Sequence, residues 1–72
     1  MADVRSPVVG TVWKIEAQTG AQVAVGDVIM ILESMKMEIP VESEAAGVLT
    51  DLLVSEGDHV TEGQSLATLD LT

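Results

Sequence analysis

Glycines set the frame of this chain. Gly10, Gly20 and Gly26 recur as Gly47, Gly57 and Gly63, with the spacing unchanged and a shift of 37 positions. The residues between them follow suit. Thr11-Val12-Trp13-Lys14-Ile15 aligns with Val48-Leu49-Thr50-Asp51-Leu52, Ser6 with Ser43, Val23 with Val60, Ile29 with Leu66 and Leu32 with Leu69. A repeat that keeps its turn residues in register constrains the architecture before any single element is assigned. Two copies are too few to stack as a solenoid. The expectation is that they pack face to face about a pseudo-twofold axis.

The elements read as strands. Trp13, Ile15 and Ala17 alternate with Lys14 and Glu16, the period of a strand with one face inward. On that pattern Trp13, the only aromatic residue, is expected to fill the core rather than stack on a ligand. Residues 28–32 are an unbroken apolar run bounded by Gly26-Asp27 and Glu33, which suits a strand better than a helix. Residues 47–54 and 65–71 repeat the scheme, with Asp51 and Asp70 pointing outward. Each regularly spaced breaker marks a turn that needs a positive φ or a close backbone approach. Short strands with regular turns and no evident helix indicate an all-β sandwich or flattened barrel.

Seventy-two residues make one domain, expected to span 1–72. There is no cysteine to form a disulfide or bind zinc, so stability must come from a dense aliphatic core. The formal charge of −9 repels nucleic acid and anionic membranes and suits a soluble monomer. No run reaches transmembrane length, and Met-Ala-Asp-Val-Arg lacks the apolar stretch of a signal peptide. The expected location is therefore the cytoplasm. No catalytic group and no metal site is expected. His59, the only histidine, follows Gly57-Asp58 without a nucleophile at motif spacing and reads as a solvated loop residue. The acids are dispersed, and no calcium-loop or phosphate-loop pattern occurs.

One segment stands apart. Glu33-Ser34-Met35-Lys36-Met37-Glu38 places one of two lysines between two methionines, at the seam of the repeat. Adding the repeat shift to Lys36 passes the last residue. Symmetry therefore puts Lys36 at one pole, with Met1 and Thr72 near the other. A tight hairpin is expected there, with residues 28–34 leading in and 37–42 leading out. Two-residue hairpins favour Asn-Gly or Asp-Gly because both central residues take φ > 0. Met35-Lys36 offers neither, so such a turn would be strained, and strain that persists points to function.

These residues resemble the attachment motif of the biotinyl/lipoyl domain family, Ala/Ser-Met-Lys-Met. The resemblance covers the whole chain. Ser6-Pro7 with Gly10 resembles the start of such domains, and Gly26-Asp27-Val28-Ile29 the step before the attachment strand. Glu56-Gly57-Asp58 with Val60, and Glu62-Gly63-Gln64 with Leu66, resemble the second half. Val8-Val9 stands where many relatives have Met-Pro, and Ser34 where many have Ala. The resemblance implies the hammerhead fold: a flattened β-barrel of two four-stranded antiparallel sheets with quasi-twofold symmetry. The equal turn spacing in the two copies leaves no room for the thumb insertion of some acetyl-CoA carboxylase carriers.

The resemblance further implies a biotin carrier that is not itself an enzyme. A biotin protein ligase would form biotinyl-adenylate, and the Lys36 amine would attack it to give an amide. The biotin arm would then carry a carboxyl group between biotin carboxylase and carboxyltransferase sites. Met35 and Met37 would serve as soft contact surface for these partners, since methionine adapts to varied pockets. Glu33, Ser34 and Glu38 are candidates for ligase recognition. The alternatives are a lipoyl carrier on the same lysine, a dual biotin/lipoyl attachment protein, and an unmodified interaction module or ligase regulator.

Overall fold

The repeat is realised as eight strands, four to a copy. The computed structural model describes residues 2–71. The first copy supplies β1 (Ala2–Arg5), β2 (Gly10–Ile15), β3 (Gln22–Val23) and β4 (Val28–Ser34). The second supplies β5 (Met37–Glu42), β6 (Gly47–Leu52), β7 (His59–Val60) and β8 (Ser65–Leu71). They form two four-stranded antiparallel sheets, ordered β1-β8-β6-β3 and β5-β4-β2-β7. Shifting each strand by one copy converts the first order into the second, which is the quasi-twofold expected from the glycine frame. Only β2–β4 and β6–β8 pair within a copy; the other four ladders join the copies.

Detail follows the same symmetry. Ser6 and Ser43, buried at the crossings between copies, donate Oγ to the carbonyls of Val8 and Ala45, both at 2.6 Å. The Ser6 amide donates to Gln64 O at 2.9 Å and that of Ser43 to Asp27 O at 2.8 Å. The core is itself largely a set of mates: Val4 with Val41, Val12 with Leu49, Val23 with Val60, Ile29 with Leu66, Met30 with Ala67 and Leu32 with Leu69, while Val54 has only the partly buried Ala17 as its mate. The segments between β2 and β3 (residues 16–21) and between β6 and β7 (53–58) are equally long, so neither half carries an insertion.

Two glycines are fixed by crowding. A Cβ on Gly10 would lie 2.6 Å from the Glu33 carbonyl oxygen, and one on Gly47 would lie 2.5 Å from that of Asp70. Both contacts are with backbone in the neighbouring strand, so no side-chain adjustment relieves them. At Gly20 and Gly57 the space is open and the constraint is conformational instead, with φ of 91° and 96°.

Trp13 is not in the core. It is 51% exposed. The ladder pairs Val12 with Leu32 and Lys14 with Ile31, which leaves Trp13 as the extra residue of a β-bulge. Val12 takes the inward place, while Ile15 and Ala17 still pack against the core. The bulge recurs between Leu49 and Asp51, leaving Thr50 as its extra residue. The strand expected over residues 47–54 ends at Leu52; beyond it, the Leu53 amide donates to Leu66 O at 2.9 Å.

The molecule is elongated, 35 × 19 × 18 Å. Ala2 of β1 pairs with Leu69 of β8 as Ile39 pairs with Leu32. The described ends of the chain therefore take the place, on the first sheet, that the β4–β5 hairpin takes on the second. The expected positions of Met1 and Thr72 lie outside the described residues.

The crowding at the two glycines predicts a symmetric result. Gly10→Ala and Gly47→Ala should each lower unfolding free energy by about 1–3 kcal/mol, as overpacking does. Trp13→Thr, on an exposed bulge, should cost about 1 kcal/mol or less. Urea denaturation of the three variants checks both.

Candidate functional site

The β4–β5 hairpin is closed by two residues. Ser34 pairs with Met37, and between them Met35 and Lys36 take φ of 53° and 64°. These are the only non-glycine residues with positive φ among the described residues. The signs are those of the mirror-image turn that matches strand twist. For side chains bearing a Cβ, this conformation costs roughly 1–2 kcal/mol per residue. The turn persists because what lies beneath it is secure. The ladder continues through Leu32–Ile39 and Met30–Val41, where Leu32, Met30 and Val41 are buried. Ser34 Oγ also donates to the Val9 carbonyl at 2.8 Å, anchoring the hairpin base to the loop before β2.

The tip is held away from the barrel. Met35 is 92% exposed and Met37 62%, and Lys36 is exposed between them. Ion pairs among the described residues are Arg5–Asp3 and Lys14–Glu16, at 2.9 and 3.4 Å. The Lys36 amine takes part in neither. An exposed, unpaired primary amine on a fixed turn is suited to forming an amide.

Glu33 and Glu38 face each other directly across the ladder, one pair below the turn. Like charges in that position destabilise a sheet. The row continues across the sheet, since Glu33 pairs with Thr11 and Thr11 with His59. Thr11 Oγ1 lies 3.0 Å from His59 Nδ1. His59 is thus exposed, as expected, but on strand β7 rather than in a loop. Residues 7–11, 33–35 and 59–62 line an open groove of about 820 Å³ beside the hairpin.

All six residues singled out in the sequence, Glu33 to Glu38, lie on this hairpin. Nothing in the order of residues marks Val9, Thr11 or His59 as its neighbours. Only strand register brings them there, and Ser34 Oγ could not have been assigned its partner from spacing.

Fold and tip together define a class of protein: a small, twofold-symmetric β-domain that displays one lysine at the seam of its repeat. The biotin–lipoyl family model, described as "Biotin-requiring enzyme", matches residues 2–69, and the chain belongs to this family. It is similar to the biotinylated protein TB7.3 homolog of Mycobacterium leprae, at 42% identity over 67 residues, covering 93% of this chain and 94% of that protein. It is similar to the biotin/lipoyl attachment protein of Bacillus subtilis, at 42% identity over 60 residues, covering 83% and 82%. Among solved structures it superposes on part of a single-chain, multi-domain long-chain acyl-CoA carboxylase. The TM-score is 0.92 at 30% identity, over 99% of this chain and 7% of that one.

The strain at the tip can be measured. Replacing Met35-Lys36 by Asn-Gly should stabilise the fold by about 1–2 kcal/mol, since those residues accept positive φ. Urea unfolding of the M35N/K36G variant against the parent checks it; no gain would mean that the turn is unstrained.

Proposed function

We propose that this protein is a biotin carrier and that the Lys36 amine is its attachment point. The observation that carries the reading is the exposed, unpaired lysine held between two methionines on a strained turn. Family membership and relatives named for biotin support it. The residues present fit the group: an amide at Lys36 Nζ needs an accessible amine and no pocket.

The chain's own residues position that amine and expose it. The positive-φ pair turns Lys36 outward beyond the last ladder rung, and the Ser34–Val9 hydrogen bond fixes the direction of the tip. Met35 and Met37 present polarizable, adaptable surface to whichever enzyme reads the tip. Glu33 and Glu38 give the base of the hairpin a local negative field that favours a basic ligase site. A lysine amine is a poor nucleophile while protonated, and the carboxylates of Glu33 and Glu38 on the hairpin are far too weak as bases to deprotonate an amine, so the ligase must take the proton. Lys14, the other lysine, lies within β2 beside Glu16 and offers no comparable tip.

When attached, biotin supplies a ureido ring that can accept and release a carboxyl group. The protein contributes tethering, which replaces a bimolecular encounter by a local search. The partners of this reading are a biotin protein ligase and the biotin carboxylase and carboxyltransferase components of a carboxylase, in the cytoplasm where ATP and bicarbonate are supplied. The protein acts as a monomeric carrier and catalyses nothing itself. Lipoate on the same lysine is the second reading, favoured by the name of the Bacillus subtilis relative.

Intact-mass measurement of protein from its own host separates biotin, lipoate and no adduct. Streptavidin signal should disappear in both Lys36→Ala and Lys36→Arg while the fold is retained. Signal persisting in either variant would remove Lys36 from the proposal, and a lipoyl mass would replace the cofactor.

A further inference from the structure

The two outer faces of the barrel are related by the repeat, yet they differ sharply at one row. On the first sheet, Asp3 pairs with Thr68, and Thr68 with the bulge Thr50-Asp51. This row is polar and bonded to itself. Thr50 Oγ1 lies 2.6 Å from Thr68 Oγ1, which donates to Asp51 Oδ2 at 3.4 Å. The symmetry mates on the second sheet are Pro40, Ile31 and the bulge Trp13-Lys14, paired in the same order. Where one face carries two aspartates and two threonines, the other carries a proline, an isoleucine and a tryptophan, with Lys14 the one charged residue among them. Trp13 is 51% exposed and Pro40 is exposed, so the row faces solvent. Nothing in the fold requires apolar residues there, because the same backbone is built with polar ones on its twin.

We propose that the outer face of the β5-β4-β2-β7 sheet is a docking surface, centred on Trp13, Ile31 and Pro40, for the biotin carboxylase component. The inference rests on the carrier reading. Three observations choose the occupant. The row lies on the sheet that bears the Lys36 hairpin, three residues below Ser34 on β4, or about 10 Å along the strand. A partner seated there holds the body of the domain and leaves the tip free to enter that partner's active site. The apolar row is edged by Glu33, Glu38 and Glu42, all exposed, on a chain of net charge −9. The complementary surface is an apolar patch ringed by arginine and lysine. A second copy of this chain fits poorly, since a twofold dimer on this face would bring six of these glutamates together with only two Lys14 amines to offset them.

Trp13, the only aromatic residue, is its own reporter. Titrating the biotinylated protein with biotin carboxylase from the source organism should shift its fluorescence to the blue and shield it from acrylamide. Trp13→Thr and Ile31→Thr install the residues that the twin face already carries, so both should fold. Trp13→Thr should raise KM for the carrier in ATP-dependent bicarbonate fixation by at least about tenfold, as loss of an aromatic anchor does, and Ile31→Thr should raise it in the same direction, both with kcat retained. KM should also climb with ionic strength. An unchanged KM in both variants, or unmoved Trp13 fluorescence at saturating carboxylase, overturns the docking face while leaving the carrier reading intact. A wild-type dimer that Trp13→Thr dissociates overturns it too, by making the face a self-interface. Wild-type protein that takes up no biotin in its host is the distinct failure, that of the carrier reading, and it removes this partner as well.

Discussion

Four strand ladders that join one copy of the repeat to the other are the constraint on which the rest of this structure depends. Within a copy, only β2 and β4, or β6 and β8, find each other. The short strands β3 and β7 have no partner except in the other copy, and β1 and β5 each complete the sheet of the opposite half. Neither copy alone closes a core. The chain must therefore settle both halves together, and the buried Ser6 and Ser43 at the crossings fix the seam with paired hydrogen bonds. This interlocking lets so short a chain, without cysteine, hold a defined shape. The entropy of ordering each strand is offset by contacts that the other copy supplies.

The hairpin draws on that security. Its two residues adopt a conformation they disfavour, and the second pair beneath them sets two glutamates face to face. Each choice opposes the fold locally, while propensity, pattern and packing agree with it elsewhere. Such conflicts concentrate where a protein serves something other than its own stability. Asn-Gly at this turn would fold more readily, but it would offer no amine. The position also has no structural twin. β8 and β1 lie side by side as β4 and β5 do, but the chain does not connect them. Symmetry thus makes the seam the single place where the loop between these strands can carry a group.

Much of this was legible from the order of residues. The glycine frame was readable because crowding at Gly10 and Gly47 and positive φ at Gly20 and Gly57 leave other residues little room. The limits of the hairpin strands, Val28–Ser34 and Met37–Glu42, followed from the seam. Family resemblance then supplied the count of strands and the role of the lysine. Trp13 was misread for a definite reason. Alternation assumes an unbroken period of two, and a bulge inserts one residue without any mark in composition. Val12 took the core place, and its larger neighbour was turned out. The two-residue strands β3 and β7 were too short to show a period, so His59 read as loop. The Thr11–His59 contact joins residues 48 positions apart and exists only once β2 and β7 pair.

The misreading of Trp13 is itself informative. A large aromatic side chain on an outer face forfeits the burial it would gain inside, and its twin position shows that threonine serves the fold there. Interior positions of the two copies remain closely matched in character, from Val12 with Leu49 to Leu32 with Leu69. Exterior positions have diverged in sign and polarity, as Lys14 against Asp51 and Ile31 against Thr68 show. The core answers to a symmetric requirement, since both halves must fill one cavity. The surfaces answer to separate ones. The sheet that carries the hairpin is the one with the largely apolar row, so the asymmetry of the surface follows the asymmetry of the tip.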